Sequence, residues 1–237
     1  EQGVLMQINL AADIISNTLE HRLYREAVVA ARLLREGPLA SRTWQLALVA
    51  SQATWTFIEG QPDTQGLWDA HVPLNVTLAS QLLEWQRQRM LEPGAKWVMR
   101  MQPENVHWVW KAATFLLTPF HETLYMDADI LVLRPSFVSD LLDRSLRVAD
   151  LVSPVDPNRP GRKSLRSRTG KFHINPPMYG RGIPPMCMGL LAYRLTPAVG
   201  RLIERATARL MGQSFLEDPT DRTKLVRQSD QEMIWAE

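Results

Sequence analysis

Leu124-Tyr125-Met126-Asp127-Ala128-Asp129-Ile130-Leu131-Val132-Leu133-Arg134-Pro135 carries two carboxylates, one residue apart, in a run that is otherwise almost wholly apolar. In a regular strand, residues i and i+2 point to the same side, so Asp127 and Asp129 are expected to aim at one point where the strand ends. Two like charges held side by side in apolar surroundings are costly unless something positive sits between them or the chain leaves the core there. A divalent cation supplies that charge. Mg²⁺ and Mn²⁺ are typically held by one or two protein carboxylates, with substrate phosphate oxygens and water completing the shell. The stretch therefore predicts a metal–phosphate site at the carboxyl end of a buried strand. The competing reading is a chance Asp-x-Asp in a solvated turn, and the apolar flanks argue against it.

On the N-terminal side, Trp44 to Ala50 is a compact apolar run of strand length, which suggests a buried strand. Before it, Leu23, Ala27, Ala30, Ala31 and Leu34 fall at helical spacing within Arg22 to Glu36, and Gly37-Pro38 stops the helix. Val4 to Ile15 reads as a first strand, although its pattern does not separate strand from helix. Strand, helix, strand in that order predicts a βαβ unit, hence an α/β class with a mostly parallel, Rossmann-like central sheet flanked by helices. Gly60 to Pro73 reads as loop, Thr77 to Leu91 as an amphipathic helix, and Val106 to Leu117 as a tryptophan-rich helix ended by Thr118-Pro119.

On the C-terminal side, Ser136 is placed to cap a short helix through Leu142, and Ala149 to Val155 returns as a strand. Met186 to Leu195 is a further buried strand. Thr196-Pro197 then starts a helix that runs to about Met211, and Ser229 to Glu232 has the spacing of a capping box. Between the last two strands lies an irregular segment, 156–185, dense in Pro, Gly and Arg. Its basic residues Arg159, Arg162, Lys163, Arg166, Arg168 and Lys171 form a solvated loop or an acceptor-side contact. Nucleic acid is not the expected partner, because no aromatic side chains interleave with the charges.

Residues 1–237 read as one domain with a full core, at 45% apolar and 22% charged residues. The formal net charge of +2 points to no class of partner. The single Cys187 excludes an internal disulfide framework. No run reaches the length of a membrane span. Because the chain begins at Glu1, an excised or processed fragment is expected. Localisation therefore stays open between the cytoplasm and the Golgi or secretory lumen.

Lys111, the run to Thr118-Pro119-Phe120, and then Leu-Tyr-Met-Asp-Ala-Asp-Ile-Leu-Val-Leu together resemble the core of GT-A-fold glycosyltransferases, most of all the glycogenin-like family 8. That family also has a small-residue strand, here near Gly189, and a later Asp-Gln pair, here Asp230-Gln231. The resemblance is good over 106–135, partial over 186–210 and 229–237, and only topological before 60. It implies a metal-dependent glycosyltransferase that takes a sugar from a nucleotide-diphosphate donor to a glycan, protein or small-molecule acceptor, using Mn²⁺ or Mg²⁺. By the same resemblance Asp127 lies near the ribose and the metal, Asp129 binds the metal bridging the donor phosphates, and Lys111 neutralises charge at the nucleotide. Gly189 is expected in the donor site, and Asp230 and Gln231 at the hydroxyls of the transferred sugar.

The chain departs from the family pattern in two places. The usual third metal ligand, a His well beyond the Asp-Gln pair, is not found before Glu237, and His173 lies in the wrong part of the chain to replace it. The Asn-Ser/Ala-Gly motif of the later strand is here Cys187-Met188-Gly189. Two rival readings follow. One is a catalytically inactive GT-A-like module that binds a nucleotide or other ligand. The other is a haloacid-dehalogenase-type phosphotransferase with Asp127 as nucleophile, against which stand the mid-chain position of the motif and the lack of any Asp-Asp pair.

Overall fold

The computed structural model describes residues 1–8, 18–40, 44–74, 111, 114–153, 189–212, 215–218 and 221–227. By contacts the chain divides into two compact units. The first comprises Glu1–Val76, Thr114–Ser153 and Gly189–Gly200, and contains the Asp-x-Asp stretch. Its strands are β1 (Gln2–Gln7), β2 (Gln45–Ala50), β3 (Ala70–Pro73), β4 (Glu122–Met126), β5 (Leu151–Val152) and β6 (Leu190–Arg194), ordered β3-β2-β1-β4-β6-β5 in one six-stranded sheet. β1 pairs in parallel with both β2 and β4, and β2 with β3. Only β6 runs against the rest, pairing antiparallel with β4 and β5. The sheet is thus mostly parallel, as the βαβ pattern requires.

A largely parallel sheet must bury both faces, because its crossovers pack on them. On one face Val4, Met6, Leu46, Leu48, Leu124 and Met126 meet α1 (Thr18–Glu36), whose Ala27, Ala30, Ala31 and Leu34 are fully buried. These are the helical positions expected from the sequence. On the other face Leu5, Ala47, Val49, Tyr125, Leu191 and Tyr193 are buried. There Phe115 lies edge-on to Tyr125 at 4.8 Å and to Tyr193 at 6.0 Å. The Tyr193 hydroxyl donates to the Phe115 carbonyl at 2.7 Å, so the buried phenol is satisfied. Burial holds its proton well above the ordinary phenol range. Gly3 is required in β1, since a methyl there would run into the Phe120 ring.

Several boundaries differ from the expectation. The strand expected to carry both acids at its carboxyl end stops at Met126, just before them. Its pairing with β1 stops at Met6↔Met126 and with β6 at Met126↔Leu190, so residues beyond Asp127 have no regular ladder to join. Leu131 and Leu133 are 48% and 81% exposed. The first strand is Gln2–Gln7 rather than Val4 to Ile15, and the 60–73 loop contains β3, a four-residue parallel edge strand too short to show alternation. The helix α2 (Gln52–Glu59) was not foreseen; Ser51 caps it by accepting from the Thr54 N–H. Ser136 is no cap: α3 (Ser136–Ser139) begins behind Pro135 and continues as a wider π turn over Asp140–Arg144. Ala149 to Val155 shrinks to the two residues of β5, and Met186 to Leu195 to the five of β6. Thr196 does cap α4 (Pro197–Gly212), its hydroxyl accepting from the Val199 N–H at 3.3 Å.

The second unit comprises Thr77–Ala113, Pro154–Met188 and Arg201–Glu237. Its described part holds most of α4, with Ile203 and Ala206 buried, and an antiparallel hairpin β7 (Phe215–Asp218) and β8 (Asp221–Arg227) that the sequence did not suggest. The helices expected over 77–91 and most of 106–117, the basic segment 156–185 and the capping box lie outside the described residues.

At the amino ends of the central strands, Arg194 donates to Glu122 at 2.7 Å and to Asp150 at 2.7 Å, while the Gln2 amide donates to Glu122 at 2.6 Å. The Gln2 amide first, and then Arg194, hold the Glu122 carboxyl below its usual range against the opposing effect of burial. A depressed carboxylate adds stability that is present above the unfolded pKa, about 4.3, and is lost as pH falls through the folded value. Glu122→Gln is therefore expected to cost about 1 kcal/mol at pH 7. The gap to the parent should close as unfolding is measured toward pH 3, and an equal gap at both pH values would refute the linkage.

Candidate active site

The strand order places β1 between β2 and β4, so the chain departs from β1 in both directions across the sheet. In open α/β sheets ligands bind beyond the carboxyl ends of strands at such a reversal. β1 ends there at Gln7 and β4 at Met126, and the next residue is Asp127. The topology alone thus brings the first acid of the motif to the position where an α/β sheet takes its ligand.

Asp127 is held from two sides. Its N–H donates to the Gly189 carbonyl at 2.7 Å, extending the β4–β6 pairing by one step. Its Oδ1 accepts from the Tyr125 hydroxyl at 2.8 Å. Tyr125 and Asp127 share a face by strand alternation, and that spacing is the signal by which Tyr125 could have been found in the sequence. Gly189 closes the other side. A Cβ there would stand 2.8 Å from Asp127 Oδ2 and 3.0 Å from Ile130 Cδ1, so glycine is what allows β6 to approach the carboxylate. Two residues expected at one site, Asp127 and Gly189, are thereby brought together.

Asp129 is placed differently from the expectation. The two acids do not share a continuing strand: the chain turns after Met126, and the Ile130 N–H donates to the Asp127 carbonyl at 3.1 Å. Asp127 is half-buried, Ala128 is buried and Asp129 is exposed. Leaving the sheet is the second of the two ways in which paired carboxylates avoid a desolvation cost. Arg22, on α1, is held above its ordinary value first by the Glu26 carboxylate at 2.7 Å, with a weaker attraction to Asp129.

Lys111 is helical and half-buried in the second unit. Asp230, Gln231 and His173 lie outside the described residues. Among the described residues no three His, Cys, Asp or Glu side chains cluster as a metal site. The donor chemistry still fits a hard divalent cation that takes much of its shell from substrate: an anchored carboxylate, a second exposed one, and a glycine cradle that a side chain would fill. Among the described residues no helix is long and apolar enough to cross a membrane.

No family model and no curated protein matches the sequence. Solved structures do match. Mouse xyloside xylosyltransferase 1 in its apo form superimposes with a TM-score of 0.55 at 14% identity, covering 99% of this chain and 80% of that one. The galactosyltransferase LgtC in complex with donor and acceptor sugar analogs gives 0.55 at 11% identity, over 99% and 69% of the two chains. An active-site mutant of LgtC gives 0.55 at 10% identity, over 99% and 69%. At such identities the likeness establishes the fold: this chain has the GT-A fold that the motif block implied.

Proposed function

We propose that this GT-A chain is a metal-dependent glycosyltransferase that moves a sugar from a nucleotide-diphosphate donor to an acceptor, with Asp127 and Asp129 as the protein's ligands to Mn²⁺ or Mg²⁺. The observation that carries the reading is the placement of Asp127. A carboxylate anchored by Tyr125 and cradled by Gly189 stands at the carboxyl end of β4, where the strand order reverses.

The chemistry asks for such a site. Breaking the bond between sugar and nucleoside diphosphate leaves negative charge on the departing phosphate as an oxocarbenium-like centre forms on the sugar. A bound divalent ion stabilises that charge as a Lewis acid without proton transfer. The protein's part is to hold the donor and exclude alternatives. Asp127 is preset by its hydrogen bonds, so little rotamer freedom is lost on binding. Asp129, exposed in the turn, is free of that restraint and can swing to the incoming phosphates. Lys111 is assigned to the nucleotide's charge, and Asp230 and Gln231 to the hydroxyls of the transferred sugar. The acceptor, whether glycan, protein or small molecule, is bound by the remaining surface.

The test is a panel of nucleotide sugars read by thermal unfolding with Mn²⁺ or with chelator. A donor at about 100 times its Kd stabilises the folded chain by roughly 2.7 kcal/mol. One donor class is expected to raise Tm in Mn²⁺ only and to be hydrolysed slowly in the absence of acceptor. Metal-dependent binding without any hydrolysis would favour a binding module on the same fold. No shift with any donor in any metal would overturn the proposal.

A further inference from the structure

We infer that Tyr125 is a positioning residue for the metal–nucleotide site, acting through the carboxylate of Asp127; the inference rests on the glycosyltransferase reading and extends it to a residue that touches neither metal nor donor. Tyr125 is only 2% exposed, and its ring is locked edge-on against Phe115 at 4.8 Å. A buried phenol needs a partner for its hydroxyl. The structure gives it Asp127 Oδ1 at 2.8 Å, a bond from a core residue to the half-buried acid at the sheet's rim.

The opposite side of the same carboxylate is bounded by Gly189, whose missing side chain leaves Asp127 Oδ2 its space. The main chain is fixed as well, by the bond from the Asp127 N–H to the Gly189 carbonyl at 2.7 Å. Three restraints therefore act on one acid: a hydroxyl on Oδ1, a steric wall near Oδ2 and a backbone tether. An acid with no task beyond solubility does not need its rotamer set from the core. Hydrogen-bond partners of ligating carboxylates orient them, and their loss typically costs 10–100-fold in metal affinity.

Removing the hydroxyl while keeping the ring isolates the effect. Tyr125→Phe preserves the packing on Phe115 and removes this hydrogen bond to Oδ1. The experiment is calorimetric titration of the full chain with UDP and with GDP, each with Mn²⁺ and with chelator, beside thermal unfolding. In Tyr125→Phe the Mn²⁺-dependent gain in nucleotide affinity is expected to fall about 10–100-fold, with metal-free affinity unchanged. Gly189→Ala, which crowds Oδ2 instead, is expected to lower the metal increment too, whatever it does to metal-free affinity at the donor site; if Tyr125→Phe is destabilised, the same titrations at a lower temperature, where it is folded, decide the matter. In Tyr125→Phe a parallel loss with and without metal would mark a purely structural role and overturn the inference, as would an unchanged metal increment in either folded variant. If the parent chain shows no Mn²⁺-dependent binding of either nucleotide, the glycosyltransferase reading falls and takes the inference with it. A parent that responds to Mn²⁺, beside folded variants that keep its full metal increment, defeats the inference alone.

Discussion

Asp129→Ala is expected to abolish Mn²⁺-dependent nucleotide binding while leaving the unfolding curve where it was. Asp129 is exposed in the turn after β4, and exposed substitutions away from caps and buried networks usually change stability by less than about 0.5 kcal/mol. Loss of affinity and loss of fold are therefore separable at this position. They are less so at Asp127, where truncation would also remove the hydrogen bond from the buried Tyr125 hydroxyl and cost about 1 kcal/mol in its own right. The loss at Asp129 should exceed about 100-fold, since even outer partners of metal ligands are worth 10–100-fold. Titration calorimetry with UDP or GDP and Mn²⁺ measures it. An unchanged Kd in a folded Asp129→Ala protein would remove the motif's second acid from the metal site.

Phe115→Ala should be the most damaging of the single changes considered for stability. Phe115 is fully buried, packs edge-on against both Tyr125 and Tyr193, and offers its carbonyl to the Tyr193 hydroxyl. Emptying such a position removes the transfer energy of the ring and leaves a cavity between two aromatic neighbours. The expected cost is about 3–5 kcal/mol in chemical denaturation. A cost below about 1 kcal/mol would mean that this face of the sheet repacks freely. The change also loosens the ring that carries the hydroxyl to Asp127, so the metal-dependent part of nucleotide binding should weaken at temperatures where the variant is still folded.

Much of this was legible in the residues themselves. The helical spacing of Ala27, Ala30, Ala31 and Leu34 predicted the buried face of α1, because a 3.6-residue period allows no other assignment. The apolar run through Met126 predicted a buried strand, and the GT-A resemblance of the motif block agrees with the fold found. Where the strand stopped was another matter. Ile130 to Leu133 is as apolar as Leu124 to Met126, yet Leu131 and Leu133 face solvent. A strand persists only while neighbours offer backbone partners, and the pairing of β4 with β1 stops at Met6 and with β6 at Leu190. Composition carries no record of where a neighbour ends.

The residue types alone determined an α/β chain with an acidic pair flanked by apolar residues, since periodicity and charge placement are local properties. Only the tertiary structure decided that β4 lies beside β1 at the reversal of strand order, that Gly189 from a distant part of the chain walls one side of Asp127, and that Tyr125 reaches it from the core. Those are pairings between segments far apart in sequence. Their geometry is set by which strands hydrogen-bond and which faces pack, and that choice is made by the whole sheet at once.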